Sequence, residues 1–118
     1  MIYLDIDKTQ IPCTLQVMLP TRERSLNRMR LYDIELRHNV QHDFFVIDIA
    51  VGGVKLVLGQ KLVLNRSAFG MYSDIRLPLV DITPRNRPGQ KGDVTYKNWG
   101  DTVLLAVEGE GLEYVMET

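Results

Sequence analysis

The sequence predicts an all-β fold, a small antiparallel β-barrel or sandwich with at most one short helix, formed as a single β-rich domain over residues 1–118. Three observations predict it. Apolar side chains recur at every second position in segment after segment, turn-forming residues interrupt them at short intervals, and no stretch shows the spacing of an amphipathic helix. About eight short strands result, as the following pass along the chain sets out.

Ile2, Leu4 and Ile6 alternate with Tyr3, Asp5 and Asp7, and Cys13, Leu15, Val17 and Leu19 alternate with Thr14, Gln16 and Met18. Pro20 ends the second strand. Tyr32, Ile34 and Leu36 alternate with Asp33, Glu35 and Arg37, and a polar loop from His38 to Asp43 leads into the apolar run Phe44–Val51. There Phe45, Ile47, Ile49 and Val51 face one way and Asp48 the other, before Gly52-Gly53 supplies a tight turn into Val54–Leu58. Leu62-Val63-Leu64 is expected to continue this meander. Asn65 to Met71 reads as a loop or one short helical turn, weakened by Gly70. Leu77–Ile82 is a further strand candidate, followed by a polar loop, Pro84–Gly92, whose prolines and glycines remove donors and anchors. Thr102–Val107 and Leu112–Met116 flank Glu108-Gly109-Glu110-Gly111 as a closing hairpin.

Length and composition bound the function. At 118 residues the chain encloses one core but not two, and 45% hydrophobic against 25% charged residues is the balance of a globular protein. A net charge of −1 argues against a partner held by bulk charge, which leaves nucleic acid without its usual basic excess. A single cysteine, Cys13, excludes an internal disulfide and suits a reducing compartment. The acidic residues near the N-terminus and the lack of a long apolar run speak against a signal peptide or a membrane span, so the chain is expected in the cytoplasm as made.

Candidate chemistry is sparse. His38 and His42 have a spacing that places two ligands on one helix face, but their context is strand and turn, where solvated histidines are the simpler reading. Cys13 falls in the inward phase of its strand and reads as a small buried hydrophobe, not a nucleophile. The carboxylates Asp5, Asp7, Asp33, Glu35, Asp48 and Asp81 mostly occupy the polar phase of strand alternations. No phosphate loop, dinucleotide fingerprint, nucleophile elbow or HExxH occurs. The reading is a protein without catalytic residues, cofactor or metal.

Charge is placed unevenly. Residues 22–30 hold four arginines, Arg22, Arg24, Arg28 and Arg30, against the one acid Glu23, and Arg85, Arg87 and Lys91 form a second basic loop. From Asp101 onward the chain carries Glu108, Glu110, Glu113 and Glu117 and no basic residue. Opposite charges gathered in different places suit contacts between subunits, and these residues, down to Glu113, are the candidate partner contacts. The alternative is a nucleic-acid-binding module of the OB type that uses the two basic loops for single strands. Against it, the aromatic residues do not interleave with the basic ones, and the acidic C-terminus repels phosphates.

The order of features resembles the phage baseplate plug family, small tail proteins of long-tailed bacteriophages. The likeness covers most of residues 10–108: an early strand, the basic stretch, Leu31–Asn39, the aromatic-rich strand Phe44–Ile49 with its glycine turn, Gly59–Leu64 and the late Leu104-Leu105-Ala106-Val107 strand. This chain has Phe44 and Phe45 where the family typically shows a tryptophan. The resemblance implies a virion structural protein of the tail baseplate that helps close or initiate the tail tube. Its partners would be tail tube and baseplate hub proteins, with further copies of itself in the particle.

Overall fold

The computed structural model describes residues 2–4, 6–23 and 29–109. Within them lie seven strands: β1 (Ile2–Leu4), β2 (Cys13–Pro20), β3 (Met29–Asn39), β4 (Phe44–Val51), β5 (Val54–Lys61), β6 (Asp81–Asn86) and β7 (Val103–Glu108). A single 3-10 turn, Lys8–Gln10, is capped by the Asp7 carboxylate, which accepts from the Thr9 N–H. The strands form two antiparallel sheets, ordered β2-β3-β4-β5 and β1-β7-β6. Neither sheet closes on itself, so of barrel and sandwich the chain takes the sandwich.

The alternation read from sequence is the alternation that packs. Val17 and Leu19 of β2, Tyr32, Ile34 and Leu36 of β3, and Phe45, Ile47, Ile49 and Val51 of β4 are all buried. Antiparallel register sets Ile34 opposite Ile49 and Leu36 opposite Ile47, so these side chains stack across the sheet. From the other sheet, Leu4, Ile82, Val103, Leu105 and Val107 join the same core. Each such side chain contributes roughly 1.5–3 kcal/mol by leaving water. Gly52 and Gly53 both adopt positive φ, 56° and 80°, the conformation a two-residue hairpin turn of the favoured twist requires.

Three expectations are corrected and one open alternative is decided. β5 ends at Lys61, so Leu62–Leu64 does not extend it: Leu62 is buried, donates its N–H to the Phe45 carbonyl, and the chain turns away at Asn65, which adopts a φ of 63°. Of the loop and the short helical turn left open for it, the segment after Leu64 takes the loop, which lies along the rim of β6 with the Asn65 N–H on the Pro84 carbonyl and the Ala68 N–H on the Ile82 carbonyl.

The strand expected at 77–82 runs from Asp81 to Asn86, and the polar loop begins only after it. Pro84 is tolerated in β6 because its carbonyl turns outward to Asn65. Its ring nitrogen therefore also turns away from the ladder with β7, and no ladder donor is lost. Leu77 to Leu79 instead continues the edge beside β2: the Arg22 N–H donates to the Leu77 carbonyl and the Leu79 N–H to the Pro20 carbonyl. His38, expected to be solvated, is half-buried. The second arm of the closing hairpin, Leu112–Met116, lies outside the described residues.

Candidate assembly interface

The outward face of the four-stranded sheet has two parts. At the Pro20 end, register places Met18 opposite Leu31 and Pro20 opposite Met29, and with Leu79 this makes an apolar patch in which Leu31 is 42% and Leu79 44% exposed. Farther along, Glu35 and Asp48 face each other across β3 and β4, a like-charge pair that needs a cation between. Arg37 supplies it, with Nη2 at 2.7 Å from Asp48 and Nε at 3.9 Å from Glu35. The Gly59 N–H adds a hydrogen bond to the Asp48 carboxylate. Thr14, Asp33, Glu35, Asp48 and Lys55 line a shallow hollow of about 240 Å³ on this face. Among the described residues no three His, Cys, Asp or Glu side chains gather closely enough to hold a metal ion.

The charged residues singled out in the sequence divide into three groups. Arg22 turns inward: its guanidinium donates to the backbone carbonyls of Phe69, Tyr72 and Pro78. Arg85 and Glu108, chosen as opposite poles of different contacts, meet each other across β6 and β7, with Arg85 Nε and Nη2 on the two carboxylate oxygens at 2.7 and 3.1 Å. That bidentate pair holds the Glu108 carboxyl below its usual range. Arg87 donates to the carbonyls of Gly100 and Asp101 and closes its own loop. Arg30 lies near Glu23, at 3.4 Å, and Lys91 is exposed on the second basic loop. Arg24, Arg28, Glu110 and Glu113 lie outside the described residues.

At the opposite end of the sandwich, His38 sits between the rings of Phe45 and Tyr96, 4.7 and 5.1 Å away, and shares a 2.8 Å hydrogen bond with Asp43. Asp43 also accepts the Tyr96 N–H, which ties the β3–β4 hairpin to the 93–99 segment. Beside it, His42, Asp43, Phe44, Lys61 and Asp93 line an open cleft of about 400 Å³. The partial burial of Cys13 pushes its thiol up, helped by Glu35, which disfavours a thiolate.

Asp43 and Asp74, together with Glu108, contribute to an acid limit of the fold. The Tyr96 N–H and His38 lower the Asp43 carboxyl, and the side-chain and backbone bonds from Arg76 bring Asp74 down to about 2. A depressed folded value means that this stabilisation is complete above the unfolded carboxylate range, about pH 4, and is lost as pH falls through the folded value. The melting temperature is therefore expected to drop between about pH 4 and pH 2, and to drop less in a chain carrying Asp43→Asn and Asp74→Asn. An equal fall in both chains would refute the assignment.

Sequence reasoning missed the apolar patch at the Pro20 end, because Met18, Leu31 and Leu79 come from three segments and only register unites them. It also missed the loop 69–79, where Met71 is 85% and Ile75 59% exposed. The signal available was an apolar residue in a loop otherwise rich in polar and turn-forming types.

Comparison with known proteins gives one positive finding. The family model described as "Cyanophage baseplate Pam3 plug gp18" matches residues 1–110. No curated protein matches the chain.

Proposed function

Since the chain belongs to the cyanophage baseplate plug family, a structural component of the virion tail baseplate, we propose that it helps close or initiate the tail tube by contact with tube and hub proteins. The observation that carries the reading is the reach of the family match, residues 1–110, which takes in every described residue. The fold supports it physically. Arg22, Arg85 and Glu108 are engaged within the chain, while apolar side chains remain exposed on the outer sheet face and the 69–79 loop, as a surface meant for protein contact requires.

On this reading the remaining basic residues of the β2–β3 connection, Arg24, Arg28 and Arg30, with Lys91, meet acidic neighbours in the particle. Glu110 and Glu113 meet basic ones. Reversing two charges with Arg28→Glu and Arg30→Glu is expected to leave the circular dichroism spectrum and melting temperature of the purified chain unchanged and to abolish its incorporation into particles. Normal incorporation of that variant would remove this patch from the interface.

The nucleic-acid reading gains no support from the fold. Phe45 and Trp99 are buried and offer no stacking platform, and Arg22, Arg85 and Arg87 are engaged within the chain. A titration with labelled single-stranded DNA is expected to show no binding that strengthens steeply as salt is lowered. Salt-sensitive binding would reopen that reading.

A further inference from the structure

We propose that the Pro20 end of the sandwich is the docking surface for a neighbouring baseplate protein that presents an apolar surface ringed by carboxylates. The inference rests on the baseplate reading and deepens it by naming the surface and the chemistry it receives.

Exposed apolar side chains gather at this end. Leu31 lies near the start of β3, Val54 opens β5 beside the glycine turn, Leu79 donates its N–H to the Pro20 carbonyl, and Met71 and Ile75 stand on the 69–79 loop. Register brings the first two together, since Tyr32, next to Leu31, pairs with Val51, which pairs with Val54. These are five of the nine large apolar side chains exposed among the described residues, a concentration that the single scattered apolar residues of an ordinary surface do not show.

The loop that carries Met71 and Ile75 is held in place. Arg22 donates to the carbonyls of Phe69, Tyr72 and Pro78, and the Tyr32 hydroxyl donates to the Arg76 carbonyl. The Tyr72 hydroxyl bonds Gln60 of β5, and the Asp74 carboxylate accepts the Arg76 N–H. Between these ties Phe69 is 3% exposed, whereas Met71 is 85% exposed. The backbone thus fixes two apolar side chains that the core does not use, and a neighbour that receives them has little loop entropy to overcome.

Charge says what that neighbour carries. The two acids beside these side chains are each taken by an arginine of the same chain: Glu23 lies 3.4 Å from Arg30, and Asp74 lies 2.6 Å from Arg76. Both guanidinium groups still reach solvent, with side chains 27% and 46% exposed. Asp33 and Lys55, one row farther back on the sheet face, add one charge of each sign. Between Glu23 and Met29 the sequence adds Arg24 and Arg28 and no acid, so the end as a whole is positive. A neighbour that brings carboxylates finds arginines to meet, whereas one that brings lysines or arginines finds Glu23 and Asp74 already held. A second copy would set the same positive end against itself, so the neighbour is a different protein.

The full chain tests this in particles. Met71→Asp and Ile75→Asp should each leave the melting temperature of the free chain unchanged and cut incorporation by about tenfold or more, since each sets a carboxylate against an apolar and acidic surface. Met71→Lys, of similar size and opposite charge, should lose less. Val40→Asp, at a side chain 83% exposed in the β3–β4 turn at the opposite end, should incorporate normally. Normal incorporation of both aspartate variants of the loop, an equal loss from Val40→Asp, or an equal loss from Met71→Lys would each overturn the proposal.

A benzophenone side chain in place of Met71 identifies the neighbour. In assembled particles it is expected to cross-link to another baseplate polypeptide, at a peptide that holds Asp or Glu. Cross-linking to a second copy, or co-flotation of the free chain with vesicles of phosphatidylserine, would give this end a different partner and refute the assignment. The two readings fail separately: absence of the unmodified chain from particles refutes the baseplate reading, whereas normal incorporation of every variant refutes the docking surface alone.

Discussion

Trp99→Ala is expected to lower the unfolding free energy by about 3–5 kcal/mol, measured by chemical denaturation. Trp99 is 2% exposed and packs its ring 4.6 Å from that of Phe45, itself fully buried in β4. It belongs to a segment with little regular structure, whose turns are held locally: the Trp99 N–H donates to the Thr95 carbonyl, and the Asn98 carbonyl accepts from the amides of Asp101, Thr102 and Val103. The indole is the apolar anchor that fixes this segment against the four-stranded sheet. Its removal leaves a cavity beside Phe45 that the surrounding strands, paired on both sides, cannot collapse to fill. By comparison, Met71→Ala, at a side chain 85% exposed, is expected to change stability by no more than about 0.5 kcal/mol. A cost for Trp99→Ala as small as that of Met71→Ala would mean that the 93–103 segment is held by its turns alone.

How much of this was legible beforehand varies by element, for physical reasons. β2, β3 and β4 follow from alternation alone, because each buries one face and a shift of one residue would turn that face to water. The β4–β5 hairpin follows from two glycines that occupy positive φ. β6 was displaced by several residues, because Leu77 and Val80 are buried without being in a strand and Pro84 is in a strand despite lacking a donor. Both exceptions depend on long-range partners, Arg22 and Asn65, that no local pattern records.

The candidate contacts show the same division. Charge placement along the chain identified Arg85 and Glu108 as poles of separate contacts, yet antiparallel pairing of β6 with β7 brings them together, 23 positions apart in sequence. Charge on a strand is spent first on whatever the opposite strand presents, and register is not visible in composition.

Arg22 makes the distinction between a contact residue and a structural one testable. The sequence grouped it with the basic stretch, whereas its guanidinium reaches the carbonyls of Tyr72, Phe69 and Pro78 at 2.5 to 3.1 Å. Those bonds, with the Tyr32 hydroxyl donating to the Arg76 carbonyl at 2.6 Å, pin the 69–78 loop to the end of the four-stranded sheet. Arg22→Ala leaves these part-buried carbonyls without their donor and is expected to cost on the order of 2–3 kcal/mol. Arg22→Lys, a point donor that cannot span all three carbonyls, should recover only part of it. If Arg22 acts through the fold, the alanine variant loses particle incorporation in step with its melting temperature and regains it when assembly is run in the cold. If it acts by touching a neighbour, incorporation stays lost at every temperature while the melt is unchanged. The three carbonyls predict the first result, because a guanidinium with its donors spent inside the chain has little left for a neighbour.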